Sequence, residues 1–164
     1  MRMLNAIRAI ALLALSTNTA HSVEIRVSIN GAPALTADVP NAWVIGEARE
    51  GTINVADAIP SKIVMAFNLI RDPRSPDLFV KEEMSCAGGN EPKRVKGIKI
   101  SGLNGWLYAA AEKAPSGRNL NIRHYVARVD AQNLLAIAVL LPDDASEQDL
   151  KLVESILSSV KVHP

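Results

Sequence analysis

The sequence predicts an α+β domain: an antiparallel β-sheet meander with flanking helices, closed by a C-terminal amphipathic helix packed on the sheet. Three observations carry this expectation. Short segments of alternating apolar and polar residues are separated by glycine-containing turns from Val95 to Asp130, the spacing of hairpin-linked strands. Leu134 to Leu141, LLAIAVLL, is apolar at every position, as in a strand covered on both faces. From Glu147 to Ser158 the period changes, with Leu150, Val153, Ile156 and Leu157 at helical spacing.

The chain of 164 residues opens with Arg2 and Arg8 and the apolar run Ala9 to Leu15. This is the layout of a secretory signal, and the run is too short to cross a bilayer as a helix. Ala20 and Ser22 place small residues at the third and first positions before a cut after Ser22. Residues 1–22 are therefore expected to leave as a signal peptide. No cysteine follows the apolar run closely enough to be lipidated. Residues 23–164 then form a single α+β domain, periplasmic or secreted, with no stable membrane span.

Val23 to Ile29 alternates strictly and predicts a half-buried strand, followed by the Asn30-Gly31 turn. Pro33 and Pro40 predict an extended or irregular segment between them, and Trp43 to Gly46 a second short strand. Asn54 to Pro60 has no clear period. Lys62 to Ile70 reads as a buried strand ended by the loop Arg71-Asp72-Pro73-Arg74-Ser75-Pro76, and Asp77 to Met84 fits a short helix or a strand equally. Val95 to Ile100, Trp106 to Glu112, Asn119 to Asp130 and Leu134 to Leu141 are successive strands. Ser146 with Asp149 three residues on is an acidic form of the capping box, and Val160 with Val162 ends the chain in a short strand.

Ile100-Ser101-Gly102-Leu103-Asn104-Gly105-Trp106-Leu107-Tyr108, together with the order of elements from Leu134 through Val162, resembles the Mog1/PsbP-like fold. The resemblance covers roughly the last 70 residues as a pattern of elements. It implies an antiparallel sheet flanked by helices and a binding, assembly or chaperone-like module. It brings no catalytic residues with it.

Composition narrows the chemistry. Eighteen basic and 17 acidic residues nearly balance, and the leader's only charges are basic, so nothing favours nucleic acid as a partner. Lys93, Arg94, Lys96 and Lys99 are expected on a solvated strand edge, where lysines discourage sheet-to-sheet association. Cys86 is the single cysteine, which rules out an internal disulfide. With His124 the one histidine well inside the domain, a Cys/His zinc site lacks ligands. No metal or other cofactor is expected.

Candidate functional residues are few. Trp106 and Tyr108 point to one face of their strand, and the expectation is a core anchor in which Trp106 contributes more than Tyr108, whose hydroxyl reaches toward water, with a ligand-binding surface as the alternative. Arg123 and Tyr125 share a face with each other, with His124 on the opposite side, so Trp106, Tyr108, Arg123 and Tyr125 are the candidate partner-binding residues. A thiol nucleophile needs a base, and Cys86 with His124 is the alternative, a cysteine-dependent enzyme. Glu82-Glu83 and Asp143-Asp144 are unsuited to a shared acid–base or calcium site, because neighbours in sequence point apart on regular elements. The leading expectation is an exported non-enzymatic binding or assembly module of the bacterial-type cell envelope, for an unknown protein or small ligand. An inhibitor or immunity protein for an exported toxin differs from it only in the partner.

Overall fold

Two antiparallel sheets face one another across a core that the C-terminal helix completes. The computed structural model describes residues 21–30, 33–58, 61–84, 91–113 and 117–163. The strands are β1 (Ser22–Ser28), β2 (Ala34–Pro40), β3 (Val44–Ile45), β4 (Thr52–Ala56) and β5 (Val64–Arg71), followed by helix α1 (Pro76–Glu83). Then come β6 (Lys93–Ile100), β7 (Leu103–Lys113), β8 (Asn119–Arg128), β9 (Asn133–Pro142), helix α2 (Glu147–Ser159) and β10 (Lys161–His163). A three-stranded sheet runs β1-β2-β10 and a seven-stranded sheet β3-β4-β5-β9-β8-β7-β6.

The meander is β6 to β9, and β9 lies between β5 and β8 as its all-apolar sequence demands. Its odd positions Leu135, Ile137, Val139 and Leu141 point into the main core with Phe67 of β5, Leu35 and Val39 of β2, and Val153 and Ile156 of α2. Its even positions Leu134 and Ala136 face a second cluster made by Phe79 and Val80 of α1 with Tyr108 and Val126. The larger sheet is thus covered on one face by α2 and the smaller sheet, and on part of the other by α1.

Residues 34–40, expected to be extended or irregular, form the centre of the smaller sheet. Pro33 precedes the strand and Pro40 ends it, so neither interrupts the ladder, and Ala34, Leu35, Ala37 and Val39 are all buried. The segment from Asn54, which showed no clear period, begins inside β4 (Thr52–Ala56), and 76–83 resolve as a helix started by the Ser75 hydroxyl accepting from the Leu78 amide. Asp57, Lys62 and Ile63 link β4 to β5, the Asp57 carboxylate accepting from both following amides.

α2 begins with the expected capping box: the Ser146 hydroxyl accepts from the Asp149 amide, and the Asp149 carboxylate accepts from the Ser146 amide. Lys62 reaches the same carboxylate at 2.5 Å. The lysine and the serine together push the Asp149 carboxyl down to about 2. The turn between β6 and β7 is made by Ser101 and Gly102, at φ 52° and 79°, which puts Asn104 inside β7 rather than in the turn. The expected signal cut after Ser22 falls at the first residue of β1.

Candidate functional site

The two strands carrying the candidate residues pair Leu107 with Tyr125 and Tyr108 with His124. Side chains alternate along each strand, so the four residues divide. Trp106 and Tyr108 lie on the α1 face with His124. Arg123 and Tyr125 lie on the α2 face with Leu107.

On the α1 face, Tyr108 rather than Trp106 is the core residue. Tyr108 is 3% exposed, and its hydroxyl donates to Asp77 of α1 at 2.7 Å. Burial and that carboxylate raise its pKa well above the ordinary phenol value. Trp106 is 38% exposed, against the expectation that it anchors the core. The reason is register: Trp106 sits opposite Gly97 of the edge strand β6, so its ring lies beside a residue without a side chain and stays partly in solvent. The Arg94 guanidinium stands over that ring, 4.3 Å from its centroid, and pairs with Asp77 at 3.1 Å. Trp106, Arg94, Asp77 and Tyr108 therefore form one fastening of the α1 N-terminus to the sheet.

A second fastening lies beside it and was not foreseen. Arg74 donates to Asp72, Glu82 and Glu83, and Arg128 donates to the Asp72 carbonyl oxygen at 2.6 Å. Glu82 and Glu83, expected to point apart, both reach Arg74 from the last turn of α1, and the same guanidinium stands 5.7 Å from the Phe79 ring of that helix. The acidic pair is consumed in structure. The Arg74 hydrogen bonds hold the Asp72 carboxyl below its ordinary range, despite burial acting the other way.

His124 is 8% exposed, and neither ring nitrogen has a hydrogen-bond partner among the described residues. A cysteine–histidine nucleophile needs its imidazole oriented by a third group, and His124 has none. Cys86 lies outside the described residues. Burial lowers the His124 pKa from 6.5, so the ring is neutral in the fold and gains a proton more easily when unfolded. Stability from this residue is complete above about pH 6.5 and is lost as pH falls toward the depressed folded value, by at most about 1.4 kcal/mol per pH unit. Wild type should thus lose more melting temperature than His124→Leu between pH 7.5 and 5.5, as read by circular dichroism. Equal losses would remove His124 as the cause.

The α2 face holds the feature with the most chemical content. A cleft of about 360 Å³ runs between α2 and the β6–β8 end of the larger sheet, within the ordinary size range of ligand pockets. Ile98, Ile100, Leu107 and Leu157 give it an apolar lining and Lys96 and Arg123 its positive charge, while Lys99, paired with Asn104 and so turned to the other face, borders it at the strand edge. Glu154 and Ser158 of α2 face them. Burial raises the Tyr125 pKa, while the adjacent Arg123 guanidinium opposes that shift. Helix spacing explains why α2 contributes 154, 157 and 158, and strand alternation why β8 contributes 123 and 125. The contributions of Lys96 and Glu154 were not foreseen, because the facing of α2 against the edge strand has no local signature.

A wider hollow of about 810 Å³ is floored by Ala109, Ala110 and Ala111 beside Asn121. Among the described residues its charged groups are Glu91 and Lys93, of opposite sign, and no aromatic residue lines it. Among the described residues no group of three or more His, Cys, Asp or Glu side chains is placed to hold a metal ion. No helix among them is long and apolar enough to cross a membrane.

The sequence matches no protein-family model and no curated protein. Solved structures match its fold. Cyanobacterial PsbP (CyanoP) from Synechocystis superposes with a TM-score of 0.57 at 13% identity, covering 92% of this chain and 99% of that one. The Ran-binding protein Mog1p of Saccharomyces cerevisiae gives 0.53 at 10%, over 85% and 95%. LpqN of Mycobacterium tuberculosis, described as involved in cell envelope biogenesis, gives 0.51 at 13%, over 88% and 92%. Against a Bacteroides thetaiotaomicron structure the score is 0.57 at 12%, and there this chain spans about half the length, 48%, of its neighbour. At such identities the likeness speaks of architecture: the chain has the Mog1/PsbP-like fold.

Proposed function

We propose that this chain is exported and works as a non-catalytic binding module of the cell envelope, holding a protein partner in the cleft between α2 and β6–β8. The observation that carries this is the cleft itself, where Lys96 and Arg123 flank an apolar lining with Tyr125 at its wall and Lys99 at the strand edge beside it. Apolar contact with a few convergent polar groups is what a recognition site requires. The polar clusters on the opposite face are occupied in holding α1 to the sheet, and the Lys62–Asp149 pair in capping α2. Export is supported by the leader-like residues 1–22. A role in binding is supported by the same fold serving a Ran-binding protein and a protein involved in cell envelope biogenesis.

The test is site-directed photocross-linking in an envelope extract. A photoreactive residue at Ser158, in the cleft, should yield a discrete cross-linked protein, and one at Lys113, at the far end of β7, should not. Arg123→Glu should reduce that product by about ten-fold or more while melting as wild type does. Cross-linking that is equal at both positions and indifferent to Arg123→Glu would overturn the assignment. An inhibitor or immunity role would show as a captured protein that is itself toxic.

A further inference from the structure

We infer that the partner enters the cleft as an extended acidic segment that adds a strand to the free edge of β6. This deepens the binding-module assignment and rests on it. Lys96, Gly97, Ile98, Lys99 and Ile100 line the cleft consecutively. Neighbouring residues of a strand point to opposite faces, so a hollow confined to one face would meet alternate residues. Gly97 and Lys99, which alternate with Lys96, Ile98 and Ile100, therefore border it along with them, so the stretch meets the hollow with its backbone as well as its side chains. β6 ends the sheet, and no strand among the described residues pairs with its outer side. Its amide and carbonyl groups there are the template for an added strand.

Charge selects the occupant. Arg94 is engaged with Asp77 and Trp106, whereas Lys93, Lys96 and Lys99 make no ion pair among the described residues. Edge lysines repel a second copy of the same cationic edge, which discourages self-association, but they attract a strand bearing carboxylates. The register shift in β6 falls between Arg94 and Lys96, leaving Lys96 to Ile100 in unbroken pairing with β7. An added strand would run along that regular stretch. Its inward side chains reach the apolar lining formed by Ile98, Leu107 and Leu157.

The probe is a fluorescent ten-residue peptide alternating glutamate and valine, titrated against the chain freed of residues 1–22 and followed by polarisation. It should bind saturably. Its lysine–valine counterpart should bind at least about ten-fold more weakly, and so should the acidic peptide against Lys96→Glu/Lys99→Glu. The same acidic peptide N-methylated at alternate residues keeps its charge and side chains but cannot complete a β ladder, and should also lose at least about ten-fold. Absence of saturable binding, or equal binding of the N-methylated form, overturns the inference. Persistence of the Ser158 cross-link in Lys96→Glu/Lys99→Glu also overturns it, while leaving the binding-module assignment in place. Loss of that cross-link in the double variant, with melting unchanged, supports both.

Discussion

Tyr108→Ala is expected to destabilise the domain by about 3–5 kcal/mol, the usual cost of deleting a large buried aromatic side chain, and Trp106→Ala by about 1–2 kcal/mol. The two residues stand two apart on one strand face, but only Tyr108 lies beneath α1, 3% exposed, while Trp106 at 38% covers Gly97 on the edge strand. Deleting Tyr108 empties the space among Phe79, Val126 and Leu134 and leaves Asp77 without its phenol partner. Deleting Trp106 removes a half-solvated ring and one cation–π contact. Tyr108→Phe separates the two losses at Tyr108: it keeps the packing and gives up a hydrogen bond to a carboxylate, for about 1.5–3 kcal/mol. Urea titration with circular dichroism detection measures all three. A larger loss for Trp106→Ala than for Tyr108→Ala would contradict the packing of α1 over this face.

The ranking of these two residues is opposite to what the sequence predicts, and the cause locates the limit of sequence reading here. Alternation correctly places Trp106 and Tyr108 on one face and Arg123 and Tyr125 on one face. It cannot say that these are opposite faces, because that depends on the register between β7 and β8, which pairs Leu107 with Tyr125. Burial along a face is likewise set by what lies above it. α1 is only eight residues long and packs on Tyr108, while Trp106 is tied to it through Arg94, and its sequence, with Leu78, Phe79 and Val80 beside an acidic pair, carries no sharp period. Strong local signals survived intact: the apolar run of β9, the capping box of α2 and the cationic edge β6 all lie where their sequences put them. What could not be read was non-local. The pairing of β2 with β10, the hold of Arg128 on the Asp72 carbonyl and the facing of Glu154 toward Arg123 and Tyr125 each join residues from distant parts of the chain.

Gly105→Ala should be the most costly single-methyl change in the segment GLNGWLY, at about 3 kcal/mol, the upper part of the range for forcing atoms into a filled site. A methyl group there would stand 2.4 Å from the Val126 carbonyl oxygen and 2.8 Å from the Ala127 side chain, so β7 must shift away from β8. Backbone cannot yield as a flexible side chain does. Gly97→Ala is the natural comparison, being a glycine on the neighbouring strand whose added methyl would meet the Trp106 ring at an ordinary 3.6 Å. It should stay within about 0.5 kcal/mol of wild type. Displacing β7 also moves Leu107, which lines the cleft, and Tyr108, which holds α1. Gly105→Ala is therefore expected to lower both melting temperature and cross-linking at Ser158, whereas Gly97→Ala should keep its melting temperature. If Gly105→Ala melts within a degree of wild type, the close approach of β7 to β8 is not as the structure draws it, and the shared placement of the cleft and the α1 face by that one glycine fails with it.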